Sequence, residues 1–352
     1  MLRRFTANER GSVVIMVALS MVVLSAAAAL SVDVGQLYTT RGDLQNSADA
    51  AALAGAQSLV VSSGEAHEQA EAWAERNGLS AEEIGPINDG VNCSDVTRPN
   101  TLTVHVQRNV GFTFAQVIGI TDGDVVACAT AQIGSPAERD GLFPLSIPED
   151  YINFDGESQL KYDANDLHNG NSLALDLEDG ESGSGGDQLE NNLKFGSDEP
   201  LCATDADPAG IFCTASSIAD SEPGNKIAAI NDGLQYRMDN TSEACDELSE
   251  VRQERADGTY GIKPGCNPFQ GDSDSKRIVL IPVIDQDDWD DCNGNCEVTI
   301  RRFAIFFLSD FDCSSGNDCK VFGTFLDMVI DIGAVMGDLV PGSGITMVRL
   351  VD

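Results

Sequence analysis

Residues 11–57, GSVVIMVALSMVVLSAAAALSVDVGQLYTTRGDLQNSADAAALAGAQ, decide how the rest of the chain is read. No charged residue occurs between positions 11 and 32. As a helix those positions span roughly 33 Å, at ~1.5 Å per residue, enough to cross a bilayer core. The helical pattern then continues. Val34, Leu37, Leu44, Ala48, Ala51, Ala52, Gly55 and Leu59 recur at three- and four-residue spacing. A secretory signal has an apolar region of about 7–15 residues and a small-residue cleavage site. Ser25, Ala26, Ala27, Ala28 and Ala29 supply such residues, which leaves cleavage as the alternative. A cleaved signal has no use for a helix that runs on for about seven turns. The reading is an anchor that passes straight into a stem.

Charge gives orientation. Arg3, Arg4 and Arg10 precede the run, opposed only by Glu9, and Asp33 follows it. The positive-inside bias places residues 1–10 in the cytoplasm, a transmembrane helix at 11–32, and the bulk of the chain outside. The 352 residues carry 57 acidic and 21 basic side chains, a net charge of −36. Phosphate binding needs the opposite sign, so nucleic acid is excluded as a partner. Ten cysteines, none in a CxxC, favour disulfides over metal or redox sites in an extracytoplasmic chain.

Beyond the stem, Ser62 and Glu65 have capping-box spacing and open a helix through EAHEQAEAWAERNG. Ala66, Ala70, Trp73 and Ala74 form its apolar stripe, and Asn77-Gly78 stops it. TLTVHVQR alternates as a half-buried strand, with Leu102, Val104 and Val106 inward and Thr101, Thr103, His105 and Gln107 outward. GFTFAQVIGI reads as a short helical crossing ended by Gly119, and DVVACATAQIG as a second strand. The stem helix and this small α+β unit occupy 33–134; SPAERDGL, 135–142, reads as a linker. Residues 143–352 read as a β-rich, disulfide-containing domain. Its strands are FPLSI, LALDL, RIVLIPVID, VTIRRFAIFFLSD, KVFGTFLDMVI and TMVRLV; short helices fall at GDQLENNLKFG and GNKIAAINDGLQYRM, and EDGESGSGGD reads as a polar loop. The fold class is α+β.

These residues resemble the Tad-like domain of TadE/TadG-like Flp pilus assembly proteins. The family pattern D-V-G-x-L-Y-x-x-R-x-x-L-Q-x-A-A-D-A-A-A-L-A-A-A corresponds to DVGQLYTTRGDLQNSADAAALAGA, residues 33–56, with Ser47 at a small position and Gly55 for alanine. VHVQRNVGFTFAQVIGITDGDVVACATAQI is similar to a second family block, so the resemblance covers roughly residues 8–134. Residues 169–177 and 223–237, IPVID and FAIFFLSD resemble, more loosely, the C-terminal segments of family members. No D-x-S-x-S metal site appears after IPVID, so the similarity is to TadG-like members without a von Willebrand A domain. Prepilin processing calls for a glutamate where Met16 stands. The resemblance implies a bacterial inner-membrane, single-pass protein whose partners are the membrane and a pilin or other Tad assembly proteins.

No enzyme, cofactor or small-molecule substrate is expected. His67, His105 and His168 lie in no nucleophile or zinc motif, and no G-x-S-x-G or P-loop occurs. Ala48, Ala52 and Ala56, spaced by four, allow close helix packing, either on the protein's own β unit or on a partner. Asp285, Asp287, Asp288 and Asp291 are a weak calcium candidate, because EF-hand spacing fails. The cysteines are expected to pair locally: Cys93 with Cys128, Cys202 with Cys213, Cys245 with Cys266, Cys292 with Cys296 and Cys313 with Cys319. The function read from the sequence is non-catalytic assembly or anchoring of a Tad/Flp-type pilus. The alternatives are a membrane-anchored adhesin or calcium-dependent binding protein, and a secreted hydrolase.

Overall fold

A computed structural model describes residues 9–163, 173–177 and 185–351, apart from positions 223, 257, 270, 272, 274, 293, 294, 315 and 317. The described chain divides into two compact units. One takes the chain up to Gly55, Ala66–Ala131 and the last residues from Leu350; the other takes Ala56–Glu65 and Gln132–Arg349.

The first unit is organised by α1, Glu9–Gln57, 49 residues in one unbroken α-helix. At ~1.5 Å per residue it is about 73 Å long. The serines of its apolar part are satisfied within the helix: the hydroxyls of Ser20 and Ser31 donate to the carbonyls of Met16 and Ala27, each at 2.8 Å. Such back-bonding lets a hydroxyl sit in hydrocarbon without an orphaned donor. The next helix, α2 (Ser63–Arg76), starts at the expected cap, where the Glu65 N–H donates to Ser62 Oγ at 3.1 Å. Ala66, Ala70 and Ala74 are buried, as the stripe required. Trp73 is not; it is 41 % exposed, with the Arg76 guanidinium 5.4 Å from its ring.

Three strands follow: β1 (Ile84–Val91), β2 (Thr97–Gly111) and β3 (Asp122–Gly134), in the order β1-β2-β3. β1 pairs antiparallel with β2, Ile84 opposite Val106, with irregular register at two points. Leu102, Val104 and Val106 are buried as expected. So are Thr101 and Thr103, which strict alternation places outward. Their hydroxyls are satisfied. Thr101 donates to the carbonyl of Arg98, and Thr103 bonds Val91 O at 2.6 Å and Thr130 Oγ1 at 2.8 Å. Hydrogen-bonded threonines tolerate burial that bare hydroxyls do not.

The second unit opens where a linker was expected. Residues 136–139 form a strand, β4 (Pro136–Arg139), with Pro136 and Ala137 buried. Further strands are β5 (Leu145–Pro148), β6 (Glu157–Asp163), β7 (Leu173–Asp176), β8 (Leu201–Cys202), β9 (Ile218–Ser221), β10 (Arg252–Glu254), β11 (Tyr260–Ile262), β12 (Ile278–Ile284), β13 (Glu297–Asp312), β14 (Asp318–Leu326), β15 (Met328–Val329), β16 (Val335–Met336) and β17 (Ile345–Val351). Helices α3 (Gly185–Phe195), α4 (Ile227–Asp239), α5 (Leu248–Val251) and α6 (Gln286–Asp291) lie among them.

The main sheet runs β12-β5-β7-β9-β13-β14-β6, and β12 also pairs with β13, which closes a ring of five strands. Closure follows from the length of β13. Its Ile300–Phe307 stretch takes β12, while the opposite edge takes β9 at Glu297–Thr299 and β14 from Ile305 onward. All seven residues of β12, IVLIPVI, are buried, as a continuous apolar run demands. Alternate residues feed two cores. Ile278, Leu280, Phe303, Ile305 and Phe307 enter one; Val279, Ile281, Ala304, Phe306 and Leu308 enter the other, which α3 and α4 cover with Leu189, Leu193, Ile230 and Leu234. Arg237, last-turn residue of α4, is buried with no carboxylate partner among the described residues; it donates to the Leu193 carbonyl and, at 2.8 Å, to the Lys276 carbonyl. Residues 320–330, read as one strand, break at Asp327 into β14 and β15.

Candidate functional site at the base of the stem

Along α1 the apolar side chains from Val13 to Leu24 are all exposed, and nothing in the most hydropathic window is buried. Burial begins at Asp33, which is 3 % exposed. From there a stripe runs through Leu37, Thr40, Leu44, Ser47, Ala48, Ala51, Ala52 and Gly55. This is the spacing of one helix face. The folded part of the first unit therefore starts at the first residue after the uncharged run, with no spacer.

Asp33 is the polar member of that stripe. Its carboxylate accepts the backbone N–H groups of Thr113, Phe114 and Ala115 at 2.9, 3.0 and 2.7 Å. Burial pushes its pKa up, but the three N–H donors outweigh that and hold it below the ordinary carboxylate value. The donors open a 3-10 turn, Ala115–Ile118, which ends at Gly119 with φ +89°, a left-handed position suited to glycine. Higher up, Gln45 Nε2 donates to Asp49 Oδ1 at 2.8 Å and to the Cys128 carbonyl at 3.0 Å. Ala48, Ala52 and Ala56 are fully buried, so the small-residue stripe is covered within the protein rather than offered to a partner.

Glu83 and Arg108 fix the start of β1 against β2. The guanidinium grips the carboxylate through Nε and, at 3.2 Å, through Nη2, and the Ser80 N–H adds a bond of 2.8 Å. The Arg108 bond dominates, and the Glu83 pKa falls from its ordinary 4.5 to about 2. A depressed carboxylate contributes stability that is present above its unfolded pKa and lost as pH falls through the folded one. The first unit is thus expected to weaken between about pH 4.5 and pH 2. Glu83→Gln should flatten that limb of an acid-unfolding curve; an unchanged limb would contradict the assignment.

The structure brings the ten cysteines together as Cys93–Cys128, Cys202–Cys213, Cys245–Cys266, Cys292–Cys296 and Cys313–Cys319, with Cα–Cα separations of 4.1 to 5.9 Å. The acidic cluster does not converge on one point. Asp285 caps α6, accepting from the Asp287 N–H at 2.9 Å and the Asp288 N–H at 3.3 Å. Asp288 turns to β13 and accepts the Thr299 N–H at 2.8 Å. Asp287 and Asp291 are exposed. Among the described residues one other set of metal-type ligands is close, Cys202, Asp207 and Cys213. Its sulfurs are joined to each other, and Asp207 accepts the N–H groups of Ile211, Phe212 and Cys213. His67 lies 3.0 Å from Asp89, and His105 lies 3.8 Å from the Cys128 sulfur. His168 and positions 178–184 of the polar loop fall outside the described residues.

Sequence reasoning used Asp33 only as the charge that ends the apolar run. The signal for more was present, since 33, 37, 40 and 44 share one helical face. An aspartate on a buried face needs donors.

Together these features define a class: a protein with one N-terminal helix long and apolar enough to cross a membrane, continuing as the core helix of a small α+β unit. Residues 11–58 match the family described as Putative Flp pilus-assembly TadE/G-like. That segment holds the apolar run, Asp33 and the whole buried stripe. The match ends before β1, so the second block of resemblance and everything beyond it lie outside. No curated protein matches the chain, and no solved structure does.

Proposed function

We propose that the protein is a non-catalytic, membrane-anchored component of a Tad/Flp-type pilus assembly system, of the TadG-like kind without a von Willebrand A domain. α1 would hold it in the bacterial inner membrane with residues 1–10 inside, and the two units would stand outside and meet pilin or another Tad assembly protein. The observation that carries this reading is the uninterrupted helix in the TadE/G-like segment, whose buried face begins where the uncharged run ends. Such a stem fixes the outer units at the membrane surface, where pilus subunits leave the bilayer. The division of the outer part near residues 135–142 and the five disulfides belong to the same proposal. Oxidised cysteines fit an extracytoplasmic site.

A photo-crosslinking residue at Tyr38, which is 75 % exposed on the stem, tests the partner. In intact piliated cells it should capture a pilin or another product of the pilus locus, and in-frame deletion of the gene should abolish pili. Normal piliation of the deletion strain would contradict the proposal. For the alternative of a calcium-dependent adhesin, titration of the purified protein is expected to give no micromolar heat signal. A signal abolished by Asp287→Ala with Asp288→Ala would promote that alternative.

A further inference from the structure

We propose that residues 112–120 form a second membrane contact, in which Phe114, Val117 and Ile120 enter the interfacial layer of the leaflet from which α1 emerges. The inference rests on the reading of α1 as a bilayer span. Height is set by Asp33. It directly follows the uncharged run, and it holds the N–H groups of Thr113, Phe114 and Ala115 within 3.0 Å. The turn therefore lies at the level where the helix leaves hydrocarbon.

Its chemistry suits that level. Residues 109–121, NVGFTFAQVIGIT, contain no charge in a chain of which 22 % is charged. Val117 is 88 % exposed, Phe114 42 % and Ile120 49 %. The turn is also built to keep its shape. The Phe112 N–H donates to the Thr121 carbonyl at 2.9 Å, and Gln116 Nε2 donates to the Phe112 carbonyl at 2.6 Å. The flanking charges are occupied: Arg108 grips Glu83, while Asn109 Nδ2 donates to Asp122 and Asp124 at 3.2 and 2.8 Å. Those two aspartates limit the contact to a shallow one. On the stem, Tyr38 stands about 7.5 Å beyond Asp33, at ~1.5 Å per residue, where an amphipathic ring meets headgroups.

The alternative attraction, to anionic headgroups, has the wrong sign for a chain of net charge −36. The contact is apolar, so it should persist in high salt and on neutral lipid. A bilayer is favoured over a protein partner because this charge-free turn is hydrogen-bonded to the end of the charge-free helix. Anything covering it must share the leaflet.

The test uses the full chain in nanodiscs of phosphatidylethanolamine and phosphatidylglycerol carrying brominated acyl chains. Three single variants are compared with the parent, whose own tryptophans, Trp73 and Trp289, give the background: Val22→Trp, Val117→Trp and Val96→Trp. Val96 precedes the far end of β2 and is 58 % exposed. It lies up to roughly 50 Å along the strand from the turn, at ~3.3 Å per residue. The Val22→Trp emission should be quenched by deep bromines, that of Val117→Trp by shallow bromines, and that of Val96→Trp by neither. The Val117→Trp quenching should be unchanged in molar salt and in phosphatidylcholine discs. Val22→Trp quenched with Val117→Trp as bright as Val96→Trp would overturn this inference alone. Val22→Trp unquenched would overturn the membrane-span reading and the inference with it. Loss of the Val117→Trp quenching in salt would overturn the apolar contact. Phe114→Trp serves in place of Val117→Trp if that variant fails to match the parent's circular dichroism.

Discussion

Gly55→Ala is expected to destabilise the protein by about 1–3 kcal/mol, the cost of overpacking, although the change restores the alanine of the family pattern. In a helix interior alanine is ordinarily better than glycine by roughly 0.8–1.0 kcal/mol. Here a Cβ would collide with Leu102 Cδ2 and stand 2.7 Å from the Ala66 carbonyl oxygen and 2.8 Å from Ala70 Cβ. The Leu102 side chain can shift; the Ala66 carbonyl and the Ala70 methyl are fixed to α2. Glycine at 55 is therefore what allows α2 to cross α1 so closely, and its substitution is not conservative. Gly42, on the same helix with nothing within 4 Å of its Cβ position, is the control. Gly42→Ala should stabilise by up to about 1 kcal/mol. Thermal or denaturant unfolding of the two variants should shift in opposite directions. A stabilised Gly55→Ala would show that the helices do not cross as described.

Removal of the bridge between Cys93 and Cys128 is expected to cost about 3–4 kcal/mol, from the chain-entropy dependence on loop size. The loop spans 35 residues, and the Cα atoms stand 5.9 Å apart. The bridge sits within a polar cluster that joins all three strands of the first unit. The Cys93 N–H donates to Thr130 Oγ1 at 3.2 Å, Thr130 meets Thr103, and Thr103 bonds Val91 O. Cys93→Ser with Cys128→Ser should thus lower the unfolding midpoint of the first unit and make it insensitive to reductant. Peptide mapping without reduction should recover residue 93 joined to residue 128. A free Cys93, or one joined to any cysteine beyond residue 142, would contradict both the bridge and the division into units.

Much of this was legible because the signals were long. The uncharged run and its continuing stripe gave α1, and the apolar runs of β12 and β13 gave the heart of the second unit. What escaped was set by tertiary context. β1, IGPINDGV, carries Gly85, Pro86 and Gly90 and is not among the strands expected from the sequence; it lies at the edge of its sheet, where proline and irregular register are tolerated. Residues 136–139 look like a linker by composition, yet β8 and β16 flank them and make them a central strand. Trp73 has helical spacing for the core but is too large for a face that otherwise carries Ala66, Ala70 and Ala74, the first two of them against Gly55. The role of Asp33 needed the turn at residues 113–115, some eighty positions away, which no local pattern announces.

On the proposed reading, one continuous helix both anchors the protein and forms the core of its first folded unit. The intact mass of the mature protein from the membrane fraction, measured alongside a periplasm-active reporter fused after Leu59, decides whether it does. The expected chain retains residues 1–32, stays with membranes through salt and carbonate washes, and carries an active reporter. A soluble mature product beginning near Leu30 would contradict the continuous anchor.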